Sequence, residues 1–178
     1  PGSGKSTLAE HLVETLGPAA ALMPMDGFHY DDEVLVPRGW RPRKGAPHTF
    51  AVGGRAAIYR RLRSGDEDVA VPRFDRDLEI ARAGAIIIPR AVRLIVTEGN
   101  WLLLDEAPWD TLVPLFDVTA MMDVPEAELH RRLTARWEGY DLPAEEIAAK
   151  VAGNDMVHAR LVVSASRPAD VKITGATA

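Results

Sequence analysis

Apolar positions at helix and strand spacing alternate along most of the chain. Leu8, Leu12, Val13 and Leu16 fall on one face of a helix over 5–16, which Gly17 and Pro18 stop. The short apolar run 20–25 reads as a buried strand. Residues 26–47 are rich in Gly, Pro and charge and read as a long loop, whose length points to a functional role. Residues 50–62 suit a helix that Ser64 and Gly65 end. Residues 69–74 and 79–88 read as two strands about the polar turn Asp75-Arg76-Asp77. Leu94, Ile95 and Val96 mark a strand over 93–97, and a further strand is expected over 118–124. A short helix over 109–115 separates them. Pro125 opens a helix over 125–137, with Glu126 and Glu128 in its first turn. Residues 144–163 are helical with an irregularity at Gly153, and 170–174 form a last strand. Buried strands alternating with helices predict an α/β fold with a mostly parallel central sheet.

Composition narrows the function classes. The 178 residues, 47% hydrophobic and 26% charged, suit one domain with a sizeable core. No apolar run approaches the ~18 residues of a membrane span, and no signal sequence is visible, so no membrane contact and a cytoplasmic location are expected. The chain has no cysteine, which excludes disulfide scaffolds, thiolate metal sites and cysteine nucleophiles. A net charge of −5 argues against a surface built to coat nucleic acid. Charge is uneven, however: Arg38 to Arg63 carries eight Lys/Arg and no Asp or Glu. Such a block is either a phosphate- or nucleic-acid-binding surface or a solvated loop and helix face.

The sequence Pro1-Gly2-Ser3-Gly4-Lys5-Ser6-Thr7 fills the end of the P-loop pattern G-x-x-x-x-G-K-[ST]. Glycines let the backbone curl so that successive N–H groups point at phosphate oxygens. The helix that starts here adds its positive dipole end. Lys5 supplies a point charge to the β- and γ-phosphates, and the Ser6 hydroxyl can ligate Mg²⁺. The motif implies binding of a nucleotide phosphate. It does not by itself separate a kinase from a GTPase, a motor or another ATPase. Its first Gly would lie two residues upstream of Pro1, and the strand that feeds the loop is expected upstream as well. The 178 residues are therefore read as a single domain lacking its first strand.

Two acids end apolar runs. Asp26 follows the first strand in Met25-Asp26-Gly27-Phe28-His29, and Glu98 ends Leu94-Ile95-Val96-Thr97. In open parallel sheets, ligands sit beyond the carboxyl ends of the strands. A carboxylate at Asp26 can face a γ-phosphate and take the proton of an acceptor hydroxyl. Glu98 can order Mg²⁺ directly or through water. His29 and His48, in the polar loop, could contact an acceptor. His11, His130, His158, Asp117 and Asp123 read as structural, and Trp40 as packing. No zinc-like ligand spacing and no Ser-His-Asp pattern appears.

These pieces, with Arg43-Lys44-Gly45-Ala46-Pro47, Pro72-Arg73-Phe74-Asp75 and Glu98-Gly99-Asn100, make the sequence resemble the phosphoribulokinase, uridine kinase and pantothenate kinase family over nearly its whole length. The resemblance implies a P-loop NTPase fold of three layers, α/β/α, with small β-hairpin and lid insertions. It implies transfer of the ATP γ-phosphoryl group to a small-molecule hydroxyl, with ATP and Mg²⁺ required. Asp26 takes the role of base, and Glu98 serves the Mg²⁺ site beside the acceptor. Arg73 and Asp75 line the acceptor pocket, with Arg43, Lys44 and His29 nearby. Arg132 and Arg136 belong to the lid. The adenine points loosely to Asn154 and Pro168. A homodimer is compatible with the resemblance. Two positions depart from the pattern: Ala51 stands where Asp often follows the R-K-G-x-P-x-x-F run, and Trp137 where His often follows the lid arginine. Both bear on acceptor identity, and neither touches the phosphate machinery.

The alternative is a nucleotide-dependent regulatory ATPase or switch with a protein partner. A closed acceptor pocket built by Asp26, Arg73 and Asp75 would favour the kinase, and a flat surface the switch.

Overall fold

The computed structural model describes residues 1–140 and 142–174. Helix α1 spans Lys5–Leu16 and ends at Gly17, whose φ of 62° is one that glycine adopts without strain. Strand β1 (Ala20–Pro24) pairs in parallel with β4 (Leu94–Glu98), from Ala20 opposite Leu94 to Pro24 opposite Glu98. That register brings the carboxyl ends of the two strands level, so Asp26 and Glu98 emerge on the same edge.

Helix α3 (Val52–Ser64) buries Val52, Arg55, Ala56 and Tyr59, spaced as one helical stripe. Strands β2 (Val69–Asp75) and β3 (Ile80–Ile88) form the expected antiparallel hairpin, with a register shift between Val71 and Arg73. A second parallel pair joins β5 (Ala120–Asp123) to β6 (Val171–Thr174). Helix α4 spans Glu126–Glu138. The irregularity expected at Gly153 is a π-helical turn, Val151–Asp155, between α5 (Ala144–Lys150) and α6 (Met156–Ala165). Such turns recur at functional sites. Among the described residues the parallel strands stand as two pairs. A cavity of about 490 Å³ between them is lined by Leu8, Leu12, Val96, Met121, Met122 and Ile173.

Residues 26–47 are not wholly a loop. They hold a 3-10 turn over Met25–Phe28 and the short helix α2 (Asp32–Leu35), and a second 3-10 turn covers Arg41–Arg43. Asp31 caps α2 by accepting from the Glu33 amide at 2.9 Å. Single turns carry no hydrophobic period, which is why the sequence pattern passes over them.

The main core joins Met23, Met25, Phe28, Phe50, Tyr59, Val71, Trp101 and Trp109 directly beneath the strand ends. A second cluster packs α4 against α5 and α6 through Leu129, Leu133, Ile147, Val151 and Met156. Two glycines fix the approach of the pieces. A Cβ on Gly27 would lie 2.5 Å from the Pro72 carbonyl oxygen, and one on Gly99 would lie 2.3 Å from Met25 Cβ. Replacing Gly99 with alanine is expected to destabilise the fold by about 1–3 kcal/mol, the range for overpacking, seen as a lower Tm in thermal unfolding. An unchanged Tm would mean that the strand ends separate freely.

Candidate active site

The P-loop curls through Gly2 (φ 73°) and Gly4 (φ 84°), both in the left-handed region, before α1 begins at Lys5. The curl turns the loop's backbone toward the N-terminus of α1, where unsatisfied amides and the helix dipole favour an anion. Gly2 packs on α4: a Cβ there would meet Leu133 Cγ at 3.0 Å. The loop borders a cavity of about 290 Å³, with Gly2, Gly4, Lys5, Ser6 and Thr7 on one side. Ser3 faces the larger cavity between the strand pairs.

Lys5 Nζ lies 3.4 Å from Glu98 Oε2, so α1 and β4 meet through this pair. Asp26 stands in the 3-10 turn after β1 and also lines the smaller cavity. Its Oδ2 accepts from Arg76 Nη2 at 3.2 Å. The Arg76 side chain is 61% exposed, so this pair holds weakly and can open. His29 Nδ1 bonds the Asp26 carbonyl oxygen at 2.8 Å. A carbonyl only accepts, so Nδ1 carries the proton in that bond and Nε2 of the neutral ring is an acceptor. Burial pushes the His29 pKa below its ordinary value, keeping the ring neutral between Phe50 and Phe74.

Lys44 also reaches the cavity, lying over the Phe74 ring and pairing with Asp32 and Glu79. Arg43 stands outside it and donates to the Gly153 carbonyl at 3.4 Å, tying the basic segment to the π-helical turn. Of the lid arginines, Arg136 lines the cavity. Arg132 lies beside the P-loop, its Nη1 3.9 Å from where a Gly4 Cβ would stand. Glu128 fixes it at 2.6 Å. Hydrogen bonds from Arg131 and then Arg132 hold the Glu128 carboxyl down to about 2.

Asn154 lines the same cavity, and its Oδ1 is buried without a hydrogen-bond partner. Pro168 does not share it and borders the larger cavity. Nor does the hairpin deliver the pair expected of it. Arg73 is exposed on β2. Asp75 is occupied by the hairpin turn, accepting from the Asp77 and Leu78 amides and from Arg82. Those bonds, led by the Leu78 amide, hold its pKa below the usual carboxylate value. The hairpin's contribution is Arg76, one residue beyond.

Sequence reasoning also passed over Asp155 and His158. Asp155 is buried, accepts from Trp137 Nε1 at 2.7 Å, and lines the cavity. His158, read as structural, reaches the cavity too, and burial lowers its pKa. Asp155 ends the π-helical turn and His158 stands three residues on in α6, a close spacing the sequence carried.

The basic block dissolves into separate contacts. Arg41 pairs with Asp32, Arg61 with Glu67 and Arg63 with Asp117, while Arg55 is buried. Among the described residues no group of three or more His, Cys, Asp or Glu side chains converges to hold a metal ion. A divalent cation beside the P-loop would draw on the Ser6 hydroxyl and the Glu98 carboxylate. It would complete its shell from phosphate oxygens and water, the manner in which Mg²⁺ is held beside phosphates. No described helix is long and apolar enough to cross a membrane.

No protein-family model matches the chain. It is 34% identical over 176 residues to "Uncharacterized protein YggC" of Escherichia coli, covering 96% of this chain and 73% of that protein. It is 31% identical to "Putative uridine kinase C227.14" of Schizosaccharomyces pombe, covering 91% and 74%. Among solved structures it superposes on a "putative fructose transport system kinase" from Silicibacter sp. TM1040 with a TM-score of 0.91 and 41% identity, covering 97% of this chain and 85% of that one.

Proposed function

The chain belongs to the phosphoribulokinase, uridine kinase and pantothenate kinase family of P-loop kinases, and on that premise we propose that it transfers the γ-phosphoryl group of ATP to a hydroxyl of a small molecule. The acceptor class is a sugar, a nucleoside or a pantothenate-like alcohol. The observation that carries this reading is one small cavity that the P-loop lysine Lys5 shares with the strand-end acid Asp26. Phosphoryl transfer asks the protein mainly for positioning and charge stabilisation.

In this reading the loop amides and Lys5 hold the β- and γ-phosphates. Ser6 and Glu98 would hold Mg²⁺, which when bound would draw charge from the phosphate oxygens. Asp26 accepts the proton of the acceptor hydroxyl as its oxygen bonds to the γ-phosphorus and the bond to the β,γ-bridging oxygen breaks. Arg132 and Arg136 face the charge that gathers on the transferring group. Asn154, beside the P-loop, offers its free carbonyl oxygen to the nucleotide. The acceptor would share this cavity with the γ-phosphate. Lys44, Arg76 and the His29 ring edge favour one with several hydroxyls or an anionic group.

A coupled ADP-release assay over sugars, nucleosides and pantothenate tests the reading. One acceptor class should raise ADP release well above the rate with ATP alone. If none does, the kinase assignment falls. Arg76→Ala is expected to raise the acceptor KM about tenfold, the equivalent of ~1.4 kcal/mol, and to leave the ATP KM unchanged. A shift confined to the ATP KM would move Arg76 to the nucleotide side.

A further inference from the structure

Arg55 is fully buried, 0% exposed, in the stripe of α3 that faces the core. A buried cation is costly unless its donors are satisfied, and here they are. Nε donates to Tyr59 Oη at 2.8 Å, Nη1 to the Pro24 carbonyl at 3.1 Å and Nη2 to the Met23 carbonyl at 3.2 Å. Nη2 also donates to Thr97 Oγ1, which itself donates to the Met23 carbonyl at 2.8 Å. The guanidinium lies over the Phe28 ring at 5.0 Å. One planar fork thus grips the last two residues of β1, Met23 and Pro24, and the penultimate residue of β4, Thr97. Asp26 follows two residues after Pro24, and Glu98 follows directly after Thr97. The acids its charge acts on most are Glu98 and then Asp26.

We propose that Arg55 is a positioning residue for the active site: its guanidinium clamps the carboxyl ends of β1 and β4 together and sets a positive charge beneath Asp26, on the smaller cavity, and Glu98, on the larger cavity beside Lys5, so that the spacing of the two carboxylates about the P-loop lysine is fixed. The inference rests on the kinase reading above and adds a residue that touches neither substrate. A lysine could supply the charge but not the fork. Hydrophobic replacement keeps the packing and removes both.

The test compares wild type with Arg55→Lys and Arg55→Met by thermal unfolding, steady-state kinetics and titration with a fluorescent ATP analogue with and without Mg²⁺. The titration needs no acceptor. In the folded Arg55→Met protein, kcat should fall about a hundredfold, the scale for a small misplacement of catalytic groups. The gain in analogue affinity that Mg²⁺ gives wild type should shrink, while Mg²⁺-free affinity stays. Arg55→Lys should recover less than half of the Mg²⁺ gain. If Arg55→Met lowers only Tm, with kcat, KM and the Mg²⁺ gain unchanged, the inference is overturned. Should Arg55→Met fail to fold, Thr97→Val removes one anchor with little change of shape. It should cut both kcat and the Mg²⁺ gain several-fold, and an unaltered Thr97→Val protein overturns the inference. If wild type binds the analogue but phosphorylates no acceptor, the kinase reading falls, while the Mg²⁺ titration still decides the role of Arg55.

Discussion

Lys5→Ala is expected to lower kcat by about two to three orders of magnitude, the cost of losing one preorganised electrostatic contact to developing charge. Lys5 opens α1, where its ammonium stands beside the curled loop and 3.4 Å from Glu98. The substitution leaves the loop backbone, the helix dipole and the glycine geometry in place. A nucleotide should therefore still bind, with its affinity weakened far less than kcat. In the proposed reading, the charge lost is the one that would follow negative charge as it shifts toward the β,γ-bridging oxygen. Side-chain packing changes little, since Lys5 is partly exposed, so the Tm should stay close to wild type. Lys5→Arg should not restore the rate, because a planar fork cannot replace a compact ammonium in this position. Steady-state ADP release with the best acceptor decides the matter: a variant keeping more than about a tenth of wild-type kcat would remove Lys5 from the transition state.

Asp26→Asn should lower kcat by about 10²–10⁴-fold, the range for removing a general base. The amide fits the same space in the 3-10 turn, where Gly27 seats that turn against the Pro72 carbonyl. It can no longer take a proton. The ATP KM should change little, because in the proposed reading the phosphates are held by the loop and the start of α1. Losing the carboxylate also frees Arg76 from its partner, so the acceptor KM is informative as well: with an anionic acceptor it should hold or fall even as kcat collapses. Near-normal kcat in this variant would defeat the base assignment.

Where local signals decide structure, the sequence was sufficient. Helix α1 ends at its Gly-Pro stop, α3 runs to Ser64 and gives way at Gly65, and the break at Gly153 falls inside the π-helical turn. The P-loop, Asp26 and Glu98 were legible because a turn motif and two strand ends are short-range features. What escaped depends on contacts between distant segments. The resemblance carried Arg73 and Asp75 over to the acceptor pocket as one strand segment. The hairpin's register shifts between Val71 and Arg73, the turn captures Asp75, and Arg76 becomes the residue at Asp26. Arg55 was counted among eight basic residues. Its position in the series Val52, Arg55, Ala56, Tyr59 marks a buried face, yet only the fold shows which carbonyls await it. Pro168 and Asn154, fourteen residues apart, were assigned to one adenine site and lie on different cavities.

The contact between Gly99 and Met25 bears on how this site could be redesigned. With no room for even one carbon between the strand ends, the spacing of Asp26 and Glu98 is a fixed frame. New acceptor preference therefore has two places to come from: the hairpin tip at Arg76 and the segment from Arg43 to Phe50. Libraries that vary those positions sample selectivity while the phosphate chemistry stays intact. Libraries that enlarge Gly27 or Gly99 press on that frame and should mainly lower Tm.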